Sequence, residues 1–170
     1  MTTTDIRRQV AAGEAARRRL VDDLRDDPGR THELISALTS DVKAVEDGAA
    51  ATLLLLATDA PGVVEPFSRR LFRIAAGSDN KAVRLALAQA LPLIELGRWQ
   101  AGRLAFVFES WLDDRDGDIK RAAMEALVAL VPQRPGLGPR VRRKIERMAA
   151  EGSPTAIHHG VPLLERLREF

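Results

Sequence analysis

A returning segment limits what this chain can fold into more than any other feature does. Val45, Leu53 and Leu56 reappear as Val83, Leu91 and Ile94 and again as Ile119, Leu127 and Leu130, at offsets of 38 and 36 residues. A degenerate fourth copy opening at Ser153-Pro154 places Ile157 where Val83 and Ile119 stood. Periods of this size belong to stacked supersecondary units, none of which can hide its apolar face alone. Each copy follows a residue suited to capping the free backbone N–H groups of a helix start: Ser40 or Asp41, Ser78 or Asp79, and Asp116. Pro154 suits the first helical position of the fourth.

Between the copies, apolar residues recur at i, i+3, i+4 and i+7, which predicts amphipathic helices. Val63, Val64, Phe67, Leu71, Ile74 and Ala75 line one face of a helix over about 61–76. Leu104, Val107, Phe108, Trp111 and Leu112 do so over about 99–113, and Leu137, Val141, Ile145 and Met148 over about 136–150. Leu34, Ile35 and Leu38 form a shorter version opened by Asp27-Pro28-Gly29. The unit is therefore helix, tight turn, helix, and the short turns force each pair antiparallel. The first stretch carries Ile6, Val10, Gly13, Leu20, Val21 and Leu24 on a broken apolar stripe that fits no repeat; it is expected to cap the first hairpin as one helix over about 4–25. The hairpins then occupy about 28–58, 59–97, 98–133 and 134–170, in a single domain.

Composition agrees. Tyrosine is absent and Trp numbers two, so strand-favouring aromatics are scarce, whereas Ala, Leu, Arg and Glu are strong helix formers. Cysteine is absent, which excludes disulfides, thiol catalysis and thiolate-ligated metal. No run of 18 uncharged apolar residues occurs, and Asp5, Arg7 and Arg8 stand where a signal peptide needs an apolar core. A cytoplasmic protein is expected. Net charge is +2 but uneven: residues 1–60 hold 8 basic and 11 acidic side chains, residues 61–170 hold 18 and 13.

Pro66 within a first helix, Asp79 in the turn, Val83-Arg84, then small residues and Leu91 resemble the pattern of the HEAT-repeat family and its shorter bacterial relatives. Asp116, Ile119-Lys120, Ala122-Ala123 and Ala126-Leu127 repeat it, while Glu46 and His158 depart from the basic residue the family usually has. The resemblance covers about residues 30–168. It implies an all-α, right-handed α-solenoid of about four HEAT-like helical hairpins behind an N-terminal capping helix, with the second helices lining the concave surface. Its members' roles range from protein scaffolding to nucleic-acid binding, so the fold does not set the function.

The first turns of the second helices carry Lys81 and Arg84, then Lys120 and Arg121, then His158 and His159. Spaced one repeat apart, they suit an acidic peptide or phosphates, or else ion pairs between repeats. With Gln89 and Glu125, the residues Arg84, Lys120, Arg121 and His158 make up the expected partner-binding surface. A second basic cluster, Arg140, Arg143, Lys144 and Arg147, shares a helix face away from Val141, Ile145 and Met148 and reads as an outer, solvated patch; Arg69, Arg70 and Arg73 repeat it more weakly. Phe108 and Trp111 have core spacing, whereas Phe106 points about 160° from Phe108 on the helix.

Asp113-Asp114-Arg115-Asp116-Gly117-Asp118 fails the calcium-loop template, because a sixth-position Gly117 would make Leu112 the first ligand; it reads as a capped turn. His158 and His159 are adjacent and diverge on a helix, so neither a metal nor any other cofactor is expected. No phosphate-binding glycine loop or nucleophile elbow is present. The expected function is thus a non-catalytic protein–protein interaction scaffold or adaptor. The alternative is a nucleic-acid-binding protein similar in architecture to HEAT-like alkylpurine DNA glycosylases, for which Trp111, Asp113 and Arg121 are the only counterparts. A place within a larger assembly is a third expectation, since open solenoid ends expose apolar surface.

Overall fold

The computed structural model describes residues 3–170, with side chains from Asp5 onward except that of Arg98. Met1 and Thr2, which open the stretch read for a signal peptide, lie outside the described residues. Among the described residues the chain is all-helical, with no β-strand. It divides into two compact units, Met1–Glu95 and Leu96–Phe170.

The first unit holds α1 (Thr3–Ala11), α2 (Glu14–Asp26), α3 (Thr31–Ala37), α4 (Lys43–Asp59), α5 (Pro61–Val64), α6 (Ser68–Gly77) and α7 (Lys81–Ala90). Helix α4 is its centre, touching α1, α2, α3, α5 and α7. That position explains its composition: Val45, Gly48, Ala49, Ala50, Thr52, Leu53, Leu56 and Ala57 are buried around much of its girth, so it lacks the single apolar stripe of a surface helix. The α1 helix comes so near that a Cβ added to Gly48 would stand 2.2 Å from the Val10 carbonyl oxygen, so only glycine admits this backbone-to-backbone approach.

The expected single capping helix is corrected to two. Gly13 adopts φ +108°, a left-handed conformation open to glycine, and breaks the chain between α1 and α2. The Arg17 guanidinium then donates to the Val10 carbonyl at 3.2 Å, covering an acceptor at the end of α1. The helix expected over 61–76 is also interrupted, as α5, a 3-10 turn over Glu65–Phe67 and α6. Pro66 sits in that turn, where its ring and missing N–H oppose a continuous α-helix.

The second unit holds α8 (Arg98–Trp111), α9 (Gly117–Leu130), α10 (Gly138–Ala150) and α11 (Pro154–Arg166). Each of α8 and α10 touches α9, and α11 packs on both α9 and α10. Small residues set the spacing: Ala122, Ala123 and Ala126 on α9, and Ala156 and Gly160 on α11, are buried. A Cβ on Gly160 would lie 3.0 Å from Cγ2 of Ile145. The expectation for Ile157 is overturned, for it is 51% exposed while Val83 and Ile119 are buried. The buried stripe of α11 runs through Ala156, Gly160 and Leu163, one position earlier, because the smallest residues turn toward α9 and α10.

Helix starts follow the capping rules with two corrections. Asp116 caps α9 as expected, its carboxylate accepting from the Asp118 and Ile119 N–H groups at 2.8 and 3.4 Å. Ser153 caps α11 from one residue ahead of Pro154. Neither Ser78 nor Asp79 caps α7; Asn80 does, accepting from the N–H groups of Ala82 at 2.8 Å and Val83 at 3.2 Å. Neither Ser40 nor Asp41 caps α4, whose N-cap is Val42 without a side-chain bond; Ser40 instead accepts from the Val42 N–H and from Arg7.

Candidate functional site

Residues of the expected binding surface fall in both units. In the first, Arg84 is half-buried and Gln89 exposed on α7. The junction between α4 and α7 is tied by Asn80, whose Nδ2 donates to Glu46 at 2.6 Å and Asp47 at 2.9 Å while its Oδ1 caps α7. Glu46 therefore has a structural role as an acceptor that ties α7 to α4. Burial opposes ionisation of Asp47, but the hydrogen bonds from Asn80 and Lys43 and the nearby Lys43 charge outweigh it and hold the carboxyl below its ordinary value.

In the second unit, Arg121 and His158 come together. They line a depression of about 310 Å³ at the starts of α9 and α11 with Asp116, Gly117, Asp118, Pro154, Thr155 and His159. Both histidines and Arg121 are exposed. Glu125 lies one turn along α9 and pairs with Arg121 at 3.7 Å, whereas Lys120 is half-buried and not in the lining. The depression is of mixed charge, with two helix starts adding their positive ends and Asp116 engaged as a cap.

The basic cluster lines a larger hollow. Arg140, Arg143, Lys144 and Arg147 of α10 enclose about 530 Å³ with Glu146 and with Glu109 of α8. Arg140 is paired with Glu109, and its guanidinium lies 4.3 Å from the centre of the Phe106 ring. Phe106 is 60% exposed, as its wheel position requires, and Trp99 is 83% exposed. Phe108 and Trp111 are core, their rings 5.2 Å apart. Trp111 thus leaves little of its ring at the surface.

A third hollow, of about 540 Å³, escaped the sequence reading. It is lined in the first unit by Leu38, Ser40, Glu46, Arg70, Arg73 and Asp79, among others. Arg70 crosses to the Ser36 hydroxyl at 2.8 Å. Only the weak outer pattern of Arg69, Arg70 and Arg73 hinted at it, because the facing residues come from an earlier hairpin. Among the described residues, no group of three or more His, Cys, Asp or Glu side chains is placed to hold a metal ion, and no helix is long and apolar enough to cross a membrane.

No family model matches the chain, and no curated protein does. Among solved structures, an engineered protein crystallised by the Northeast Structural Genomics Consortium is similar at 17% identity and a TM-score of 0.44, over 98% of this chain and 89% of that one. A likeness of that degree carries no argument about function.

Proposed function

We propose that this chain is a non-catalytic protein-interaction scaffold of the cytoplasm, built from HEAT-like hairpins in a solenoid, that docks a segment of a partner protein on the surface of its second helices. The observation that carries the reading is the depression at the starts of α9 and α11. There Arg121 and His158, side chains 37 residues apart in sequence, meet around about 310 Å³ of accessible hollow without forming a buried acid–base pair or nucleophile. Second helices packing on one another, α4 with α7 and α9 with α11, support the repeat reading within each unit. Mixed charge with exposed imidazoles suits a polar peptide bearing acidic groups, fixed by charge-assisted hydrogen bonds.

The test is affinity purification with mass-spectrometric comparison of the wild type and Lys120→Glu/Arg121→Glu. The reading expects a specific partner to be lost from the variant while far-UV circular dichroism and melting temperature stay unchanged. Capture of the same proteins in the same amounts by both would overturn it.

A further inference from the structure

The exposed side of α8 and the basic flank of α10 form a surface that the scaffold reading does not use. On α8, Trp99, Arg103, Phe106 and Ser110 share roughly 60° of arc, and all four are exposed. Trp99 and Phe106 stand about 10 Å apart along the helix axis at 1.5 Å per residue. Large aromatics this exposed, 83% and 60%, are costly to leave in water, and here they are interleaved with cations rather than grouped into an apolar face.

The flank of α10 meets this side at Phe106. Arg140 is held in a fixed orientation, its guanidinium over the Phe106 ring and paired with Glu109. One turn on, Arg143 and Lys144 line the same hollow with no ion pair to an acid among the described residues, and beyond them Arg147 makes a loose exposed contact with Glu151 at 3.9 Å. Glu109 is engaged by Arg140, which leaves Glu146 as the remaining acid in the lining.

We propose that this surface binds single-stranded nucleic acid, with Trp99 and Phe106 stacking on bases and Arg143, Lys144 and Arg147 contacting the phosphates. Stacking is indifferent to base identity because every base has a π-face, and the cations follow the backbone, so the site recognises strand state rather than sequence. A duplex hides its base faces, which removes the aromatic contribution. A membrane surface is less well matched, since Arg103 and Ser110 break the apolar continuity that insertion into lipid needs.

The probe is the full chain titrated into fluorescein-labelled dT20, rU20, a 20-base-pair duplex, a phosphorylated acidic peptide and anionic lipid vesicles. The proposal expects micromolar binding of the single strands at low salt, with log affinity falling against log salt at a slope of about −2 for three phosphate contacts. Trp99→Ala/Phe106→Ala is expected to weaken it about tenfold or more, and Arg143→Glu/Lys144→Glu to abolish it. Trp111 is only 5% exposed, so fluorescence quenching on binding belongs to Trp99 and disappears in Trp99→Phe. Arg18→Glu/Arg19→Glu, exposed on α2, is the control that leaves binding intact. Absence of binding at low salt would overturn the proposal. So would equal affinity for duplex and single strand with no effect of the aromatic substitutions, tighter binding of the peptide or the vesicles, or loss of binding in the control.

Discussion

The junctions of α4 with α7 and of α9 with α11 align in sequence and differ in the side chains that meet there. Where α4 meets α7, Glu46 and Asp47 present carboxylates to the cap residue Asn80, whose amide donates to both and so ties the two helices beside the hollow that Glu46 and Asp79 border. Where α9 meets α11, the positions equivalent to Glu46 and Asp47 hold Lys120 and Arg121, and the cap residue is Ser153, whose hydroxyl accepts from the Ala156 N–H. A short hydroxyl does not do what an amide does in capping and bridging at once, so the second junction has exposed charge where the first has a tie between helices. The lesson is that two helix junctions whose sequences align can exchange a tie between helices for exposed charge by changing three side chains.

The contrast can be broken most sharply at the closest approach in each unit. Gly48→Ala should cost about 2 kcal/mol or more, since its methyl would meet the Val10 backbone and force α1 off α4; urea denaturation measures it. Gly160→Ala meets only a movable methyl of Ile145, and the better helix propensity of alanine offsets part of that crowding, so its effect should stay within about 1 kcal/mol. Equal losses at the two glycines would show that the units are packed alike after all.

Asn80→Asp keeps an acceptor for the cap but replaces the donating amide with a charge facing Glu46 and Asp47. It should cost about 1 kcal/mol or more, and much of that should return as the carboxylates are protonated. Ser153→Ala, which removes a cap without a bridge, should cost about 0.5–1 kcal/mol with no such pH dependence.

The smallest effect is that of pH on the first junction. Asp47 has a folded pKa below the ordinary 3.8, so its stabilisation is fully present above that value and is lost as pH falls through the folded pKa. Melting temperature followed from pH 6 to pH 2.5 should therefore fall less steeply in Asp47→Asn than in the wild type. Parallel curves would remove Asp47 from the account.

Helix positions were legible because burial imposes period 3.6 on each first helix and because Pro154 and Asp116 mark starts by local chemistry. The angle of about 160° between Phe106 and Phe108 on the helix was legible too, and with Phe108 in the core Phe106 is exposed. What sequence patterning missed depends on partners distant in the chain. Asn80 competes with Ser78 and Asp79 as a cap, and the acceptors on α4 that favour it lie more than 30 residues away. Gly13 was placed on an apolar stripe, although its backbone freedom is what ends α1. Ile157 occupies the repeat position of a core residue yet faces outward, since α11 turns its glycine and alanine toward α9 and α10. The pairing of Arg140 with Glu109 joins helices 31 residues apart, so no local pattern announces the hollow they border.

The contact of α1 with α4 has a practical side for anyone shortening this molecule. Ile6 and Val10 are wholly hidden, and Gly48 has no side chain to shield α4 once they leave. Clipping the chain at the Gly13 bend, a natural place for a protease or a cloning boundary, would uncover a bare strip of central helix. The product would be sticky rather than merely smaller.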